Sequence, residues 1–177
     1  MEIDEKNVAD IQAQIDQSRS DDDQVLSFVL GGEEYGVDIL RVQEIKGWEK
    51  TTDIPNSPSY VMGVINLRGA VVPVIDLRVR FGLENITYND STVVIIVRAE
   101  DTSDSSKIIG LVVDGVSDVY AINRDELQSA PSMSGTINTE YVNGLATVGD
   151  KMVIILHIDQ LITSGILSDV KKSLNIE

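Results

Sequence analysis

The chain carries one pattern of residues twice, and this internal repeat restricts the possible folds more than any other feature. The segment YVMGVINLRGAVVPVIDL at 60–77 resembles YVNGLATVGDKMVIILHIDQL at 141–161. Upstream of these, DILRVQEI at 38–45 resembles DGVSDV at 114–119. The matching residues are Tyr60 with Tyr141, Gly63 with Gly144, Asp76 with Asp159, Val42 with Val116, Glu44 with Asp118, and Ile45 with Val119. Several matches in the same order predict two structural units that resemble each other.

Each unit is predicted to be a small sheet. Short apolar runs such as QVLSFVL and STVVIIVRAE alternate with glycine-rich or polar turns, which is typical of β-hairpins. The chain has 13 glycines and an aromatic content of 5%, and its many Val and Ile residues also favour β-structure. A sheet of about five such strands leaves bare edges unless it closes. We therefore expect two closed barrels side by side, with a groove between them.

The two ends of the chain have different patterns. Residues 1–23 are rich in acidic side chains and end in SRSDDD, which indicates a flexible acidic arm. The alternative is a helix, because Ile3, Val8, Ile11 and Ile15 have roughly helical spacing. At the other end, the pattern DQLITSGILSDVKKSL predicts a C-terminal helix within residues 161–177.

The composition argues against several classes of protein. The formal net charge of −15 disfavours a nucleic-acid-binding double barrel and binding to anionic membranes, because like charges repel. The chain has no cysteine, which excludes disulfides and thiolate metal sites. No apolar run approaches the roughly 18–20 residues of a membrane span, and the first residues do not resemble a targeting signal. We therefore expect a cytoplasmic protein with no nucleic-acid partner and no direct membrane insertion.

No feature of the sequence indicates an enzyme. The single histidine, His157, lacks the second His or Cys that a zinc site needs. The nucleophile motif G-x-S-x-G and the glycine-rich phosphate loops are absent. We therefore expect no catalytic residues, no cofactor and no metal site. The alternative, a small hydrolase or metal enzyme, requires a deep pocket that holds His157 and paired carboxylates.

One hairpin carries an arginine that its turn does not require. In VINLRGAVVPVIDL, Gly69 suits a tight reversal, whereas Arg68 has no role in the turn itself. Arg68 is a solvated turn residue, a contact for a partner, or the partner of Glu44 in an ion pair that holds the surface in shape. A planar guanidinium with several donors suits protein interfaces, and arginine is enriched among residues that dominate binding energy.

A second candidate surface lies in RVQEI. On a regular strand Val42 and Glu44 share one face, and Ile45 points to the other. If Ile45 lies in the core, Val42 faces outward beside a carboxylate, and an apolar–acidic pair suits a specific contact. The alternative is an ordinary strand face. Nearby, Arg78 and Arg80 in DLRVRFG form either a small basic docking patch or simple charge balance.

Four motifs identify a family resemblance. In order along the chain, EEYGVDILRVQEIKGW, YVMGVINLRGAVVPVIDLR, IGLVVDGVSDV and EYVNGLATVGDKMVIIL resemble the CheW family of chemotaxis coupling proteins, over about residues 24–165. The resemblance implies a mainly β fold of two intertwined five-stranded SH3-like barrels with short helical segments. It places the first barrel mainly in residues 24–87 and the second mainly in residues 88–160, with strands partly exchanged.

The resemblance also implies a non-catalytic adaptor. The family joins the cytoplasmic tips of methyl-accepting chemotaxis receptors to the regulatory domain of the CheA histidine kinase, in polar arrays that include further CheW copies. A scaffold of the same fold in a chemosensory pathway other than motility is the alternative. The residues implied for partner binding are Val42, Glu44, Gly63 and Arg68 by motif, and Ile39, Val116 and Val119 in the groove between the barrels.

Overall fold

The fold is built mainly from short strands. The computed structural model describes residues 5–18, 23–100, 106–129 and 139–173. Within these residues the strands are β1 (Gln24–Leu30), β2 (Glu33–Asp38), β3 (Val42–Gly47), β4 (Val61–Leu67), β5 (Ala70–Asp76), β6 (Val93–Glu100), β7 (Ser106–Val113), β8 (Gly115–Ala121), β9 (Val142–Val148) and β10 (Lys151–Leu156). The predicted mainly β architecture is therefore confirmed.

Helical structure is concentrated at the two ends of the chain. The helices are α1 (Glu5–Ser18), α2 (Leu77–Arg80), α3 (Ile158–Leu161) and α4 (Leu167–Ser173), with a π-helical segment at Ile162–Ile166 and single 3₁₀ turns at Ile39–Arg41, Arg124–Glu126 and Thr139–Tyr141. The C-terminal helical stretch begins at Ile158, earlier than expected, and residues 174–177 lie outside the described residues. Among the described helices, none has both the length and the apolar character needed to cross a membrane.

The strands form two five-stranded sheets whose strand orders are equivalent. The first sheet has the order β8-β1-β2-β10-β9, and the second has the order β3-β6-β7-β5-β4. Each sheet contains one parallel pair, β2 with β10 or β5 with β7. Exchanging β1–β5 with β6–β10 converts one order into the other, so the sequence repeat corresponds to a structural repeat. The hairpin β1–β2 belongs to the sheet of β8–β10, and the hairpin β6–β7 belongs to the sheet of β3–β5.

The strand register places most of the matched residues at equivalent positions. A bulge on β3 separates Val42, opposite Val97, from Glu44, opposite Ile96. The corresponding irregularity on β8 separates Val116, opposite Phe28, from Asp118, opposite Ser27. The predicted pairing of Val42 with Val116 and of Glu44 with Asp118 is therefore confirmed by the geometry of both edge strands.

One predicted match in the repeat is wrong, because the residue equivalent to Asp76 is His157 and not Asp159. The backbone N–H of Asp76 donates to the carbonyl of Tyr60 at 2.8 Å, and that of His157 donates to the carbonyl of Tyr141 at 2.7 Å. Each side chain then caps the short helix that follows it, α2 or α3. An alignment from the two tyrosines without a gap gives this pairing directly.

Each sheet curls until its two edges meet. Beyond β3, Thr52 pairs with Val64 of the opposite edge strand β4 through two backbone hydrogen bonds of 2.9 Å. In the other sheet, beyond β8, Gln128 pairs with Leu145 of β9 at 2.9 and 2.8 Å. The chain that follows one edge strand thus covers the opposite edge. This pairing satisfies N–H and C=O groups that a bare edge strand would offer to another chain, so it protects the sheet against aggregation.

The core is divided between the interior of each sheet and a larger layer between the sheets. On β6, Val94 and Ile96 point into a cluster enclosed by the second sheet. Ile95 and Val97 point the other way, into the shared cluster between the two sheets. The first sheet encloses its own cluster, which includes Val153. Because β6 is buried on both faces, its sequence is a continuous apolar run instead of an alternating one.

The N-terminal segment differs from the expected flexible arm. Residues 5–18 form α1, the helical alternative, and Ile11 and Ile15 are 8% and 0% exposed in the shared cluster. The acidic composition is compatible with a helix because the apolar residues lie on one face, which is buried. Ile3 lies outside the described residues.

Candidate partner-binding surface

Arg68, at the tip of the β4–β5 hairpin, forms an ion pair with Glu44 of β3. Its Nη1 donates to Glu44 Oε2 at 3.5 Å, and its Nη2 donates to Glu44 Oε1. The side chain of Arg68 is nevertheless 68% exposed, and that of Glu44 is 21% exposed. The hydrogen bonds from Arg68 to Glu44, together with the charge of this carboxylate, raise the pKa of Arg68. The intramolecular pair considered from the sequence is therefore present, and it leaves most of the arginine side chain open to solvent.

The ion pair joins the two edges of the second sheet. β3 and β4 are the terminal strands of that sheet, and Arg68 directly follows β4. The contact therefore acts together with the Thr52–Val64 pairing, which connects the same two edges. Because the sheet is already closed by backbone hydrogen bonds, the exposed ion pair is expected to add little to stability.

The backbone conformation at the hairpin tip favours glycine, yet the residue is arginine. Arg68 has φ of +50°, and the equivalent position in the β9–β10 hairpin is Gly149, with φ of +60°. A left-handed conformation is costly for side chains other than glycine, asparagine and aspartate. The turn would accept glycine more easily, so the presence of arginine indicates that its side chain has a role.

The same hairpin exposes an apolar side chain that the sequence analysis did not single out. Val71, opposite Asn66, is 65% exposed, whereas Val72 and Val74 are buried. Strand alternation was the available signal, since neighbours on a strand point to opposite faces. Met152 occupies the equivalent position of the other hairpin and is 50% exposed. We refer to Glu44, Arg68 and Val71 together as the hairpin face.

The expected outward position of Val42 is wrong. Val42 is 1% exposed and packs in the shared core with Ile45. The bulge between Val42 and Glu44 inserts Gln43 as an extra residue, which breaks the regular alternation of the strand. Val42 and Ile45 therefore point to the same side, and Glu44 does not share a face with Val42.

Gly63 has a conformational reason to be glycine. Its φ is +137°, and an added Cβ would lie 2.1 Å from the carbonyl oxygen of Thr52. The hydroxyl of Thr51 donates to the carbonyl of Met62 at 2.8 Å on the same stretch. Gly63 thus permits the close backbone approach that closes the second sheet. Gly144, its equivalent, would place a Cβ 2.8 Å from the carbonyl oxygen of Gln128.

The three groove candidates lie between the sheets, and two of them are inaccessible. Ile39 and Val116 are 0% and 2% exposed. Val119 is half-buried and packs against the shared cluster. Helix α1 contacts both β3 and β8 at this junction. In this structure Ile39 and Val116 are therefore closed to direct contact with a partner.

The two arginines of DLRVRFG do not form a basic patch. Arg78 is 1% exposed, and its guanidinium binds Asp76 at 3.0 Å and Asp114 at 3.0 Å. Tyr88 donates to Asp76 at 2.6 Å, and the ring of Tyr88 lies 4.8 Å from the guanidinium carbon of Arg78. Burial alone lowers the pKa of Arg78, but its hydrogen bonds to the two carboxylates outweigh this effect and raise it. Arg80 lies over the ring of Tyr60 at 5.2 Å.

The single histidine has a structural role. His157 Nδ1 accepts the N–H of Gln160 at 3.2 Å, so this side chain is a helix cap. Across the residues that the structure describes, no group of three or more His, Cys, Asp or Glu side chains is arranged to hold a metal ion.

Comparison with known proteins gives a consistent result. The family model of the CheW-like domain matches residues 24–165. The chemotaxis protein CheW of Klebsiella aerogenes is 43% identical over 151 residues, which cover 84% of this chain and 88% of that protein. The chemotaxis protein CheW of Treponema pallidum is 33% identical over 145 residues, which cover 80% of this chain and 82% of that protein.

A solved structure supports the same relationship. The scaffolding protein TtCheW from Thermoanaerobacter tengcongensis superposes with a TM-score of 0.70 and 35% sequence identity, over 80% of this chain and 88% of that one. Sequence and fold thus agree over the strands that carry the hairpin face. The chain belongs to the CheW family of chemotaxis proteins, which are scaffolds or adaptors without catalytic activity.

Proposed function

We propose that this chain couples the cytoplasmic tips of methyl-accepting chemotaxis receptors to the regulatory domain of the CheA histidine kinase. The observation that carries the proposal is the hairpin face, where an exposed arginine, held by Glu44, lies on the same hairpin as exposed Val71. Arginine is enriched among the few residues that dominate binding energy at protein interfaces, and exposed Val71 adds apolar area on the same hairpin. Membership of the CheW family supports this partner class.

The seven candidate residues divide into two roles in this proposal. Glu44 and Arg68 contact a partner directly, because both are accessible in the folded chain. Val119 contributes a half-buried apolar surface at the junction of the sheets. The buried or conformationally restricted candidates act indirectly, by fixing the strands that carry the contact residues. These are Ile39, Val42, Gly63 and Val116.

Weak individual contacts suit an adaptor that works in an assembly. An interface of standard size buries about 800 Å² on each partner, and a hairpin tip covers only part of such an area. Linking many contacts in one array raises the effective concentration of each, so that the assembly is stable although single pairs are weak. We accordingly propose that the protein works in the cytoplasm at polar receptor arrays, beside further copies of itself.

Titration calorimetry tests the proposal with isolated partners. The full chain is titrated separately with a CheA regulatory domain and with a soluble receptor-tip fragment. We expect binding to both, weakened for at least one partner in Arg68→Ala and unchanged in Arg98→Ala, an exposed arginine on β6. Binding to neither partner by the folded chain would contradict the proposed function. Binding only to partners from a non-motility system would retain the adaptor role and change the pathway.

A further inference from the structure

Helix α1 covers the junction between the two sheets. It lies outside residues 24–165, the part of the chain that matches the family. It contacts β3 and β8, which are edge strands of different sheets. Both five-stranded sheets are complete without it, so α1 is an addition to the fold and not one of its layers.

The contact has the form of a helix in a groove. Val8, Ile11 and Ile15 are spaced i, i+3 and i+7, and all three pack in the cluster that includes Ile45 and Val119. The opposite side of the helix is exposed at Ala9, Asp10, Ala13 and Gln14. Apolar anchors with this spacing are the means by which amphipathic helices bind grooves on other proteins.

One polar contact fixes the helix on the edge strand. Gln12 Oε1 accepts the backbone N–H of Ile45 at 2.9 Å, and Gln12 Nε2 donates to Asp16 at 3.2 Å. This N–H points away from β6 and would otherwise be an open donor at the edge of the sheet. A side chain supplied by another helix can satisfy it equally well, because the contact involves no backbone pairing.

We propose that α1 regulates the partner groove at the junction of β3 and β8, as a tethered, replaceable occupant of that groove. The replacing partner is an amphipathic helix with apolar residues at i, i+3 and i+7 and a side-chain acceptor for the N–H of Ile45. Residues 19–23 join α1 to β1, and a tether this short gives an effective concentration on the order of millimolar. Another helix can bind only while α1 is out of the groove. The apparent affinity of the groove for that helix is therefore its intrinsic affinity multiplied by the fraction of time that the groove is free.

This regulation by α1 rests on the adaptor role proposed above, in which the junction of the sheets is a partner groove. Its test requires neither a receptor nor a kinase, so either proposal can fail while the other stands. The probe is a fluorescent peptide of residues 1–23 with the natural sequence, titrated onto the full chain and followed by anisotropy. In Ile15→Asp the tethered helix loses its most buried anchor, so the peptide should bind roughly tenfold or more tightly than to the natural chain. The matched control is Ala13→Asp, on the exposed side of α1, which should leave the affinity unchanged.

A milder pair of variants tests the polar contact. Gln12→Ala removes the acceptor for Ile45 from the tethered helix, while the peptide still supplies one, so peptide binding should strengthen severalfold. Gln14→Ala, at an exposed position, should have no effect. Equal peptide binding by all variants, or none by any, would overturn the proposal. Light scattering that shows dimers with exchanged α1 would also overturn it, since the groove would then serve a second copy.

Hydrogen exchange on the natural chain decides the question even if Ile15→Asp does not fold. We expect the amides of α1 and the amide of Ile45 to exchange together, roughly tenfold or more faster than those of β6, because the helix opens locally. Exchange of α1 and β6 at one common rate would show that α1 leaves only on global unfolding. It would then be an integral part of the core and not a replaceable occupant.

Discussion

Arg68 and Glu44 bind each other across the two opposite edges of one five-stranded sheet. The pair brings together the edge strand β3 and the tip of the β4–β5 hairpin, which lie at opposite ends of the strand order. It also holds an exposed guanidinium in one orientation, which reduces the entropy lost when a partner binds it. We therefore expect the pair to act mainly as a preorganised contact for a partner, because an exposed ion pair adds little to the stability of a sheet that is already closed.

Exchanging the two charges separates the presence of an ion pair from the positive charge that the hairpin presents. We expect Arg68→Ala to leave the thermal midpoint nearly unchanged and to weaken binding of a partner by about 1–3 kcal/mol. The double variant Glu44→Arg, Arg68→Glu keeps an ion pair across the sheet but presents the opposite charge on the hairpin. It should therefore keep the stability and not regain the binding. Full recovery of binding in the double variant would show that binding requires the ion pair itself and not the positive charge of Arg68 on the hairpin.

Two valines provide a matched test of the site. Val42 is 1% exposed and Val71 is 65% exposed. We expect Val42→Ala to lower the free energy of unfolding by roughly 1.5–3 kcal/mol, because it removes buried methyl groups. Val71→Ala should leave stability within about 0.5 kcal/mol and weaken partner binding. Denaturant unfolding and calorimetric titration of both variants check this, and the reverse pattern would remove Val71 from the hairpin face.

Gly63 is expected to tolerate no side chain. In Gly63→Ala the new Cβ would meet the carbonyl oxygen of Thr52 at 2.1 Å, in a backbone conformation with φ of +137°. The free energy of unfolding should fall by at least about 1–3 kcal/mol from the strained conformation alone. Gly47→Ala is the control, since its Cβ would meet nothing within 4 Å. Similar chemical denaturation midpoints for both variants would contradict the close approach seen here.

The buried arginine is predicted to be structural. Arg78→Ala would leave Asp76, which is 0% exposed, without its two hydrogen bonds from the guanidinium. Loss of one partner from a buried ion pair costs about 3–5 kcal/mol. The exposed control, Arg98→Ala, should change the free energy of unfolding by less than about 0.5 kcal/mol. An equally small change in Arg78→Ala would show that the ionic cluster contributes little to the fold.

Alkaline pH should weaken the same cluster through Tyr88. Burial, followed by the hydrogen bond that Tyr88 donates to Asp76 and the charge of Asp76, raises the pKa of Tyr88 from 10.0 to about 12. The neutral phenol is favoured in the folded state, so its contribution to stability is complete below pH 10 and declines as the pH rises towards 12. Tyr88→Phe should therefore show a shallower loss of stability over this range. Identical slopes in denaturant titrations of the two proteins would exclude this contribution.

The repeat made much of the fold predictable from the sequence. Collinear matches placed Val42 and Val116 at equivalent positions, and the strand register agrees. The exposed tip of the β4–β5 hairpin followed from Gly69 and the apolar runs beside it. These features are local, and turn chemistry and strand alternation are enough to predict them.

Features that depend on tertiary contact were not predictable in the same way. The bulge at Gln43 turns Val42 inward, and one extra residue is enough to reverse a face. The burial of Ile15 requires the junction of two sheets that pair strands from both halves of the chain. Composition alone therefore favoured a flexible arm where the structure has a packed helix.

Co-sedimentation with receptor-containing membranes tests the central claim most directly. CheA kinase is mixed with these membranes alone, with the natural chain, or with Arg68→Ala or Arg98→Ala. We predict that the natural chain and Arg98→Ala carry the kinase into the membrane pellet, and that Arg68→Ala carries clearly less. A kinase that stays in the supernatant with the natural, folded chain would contradict the account.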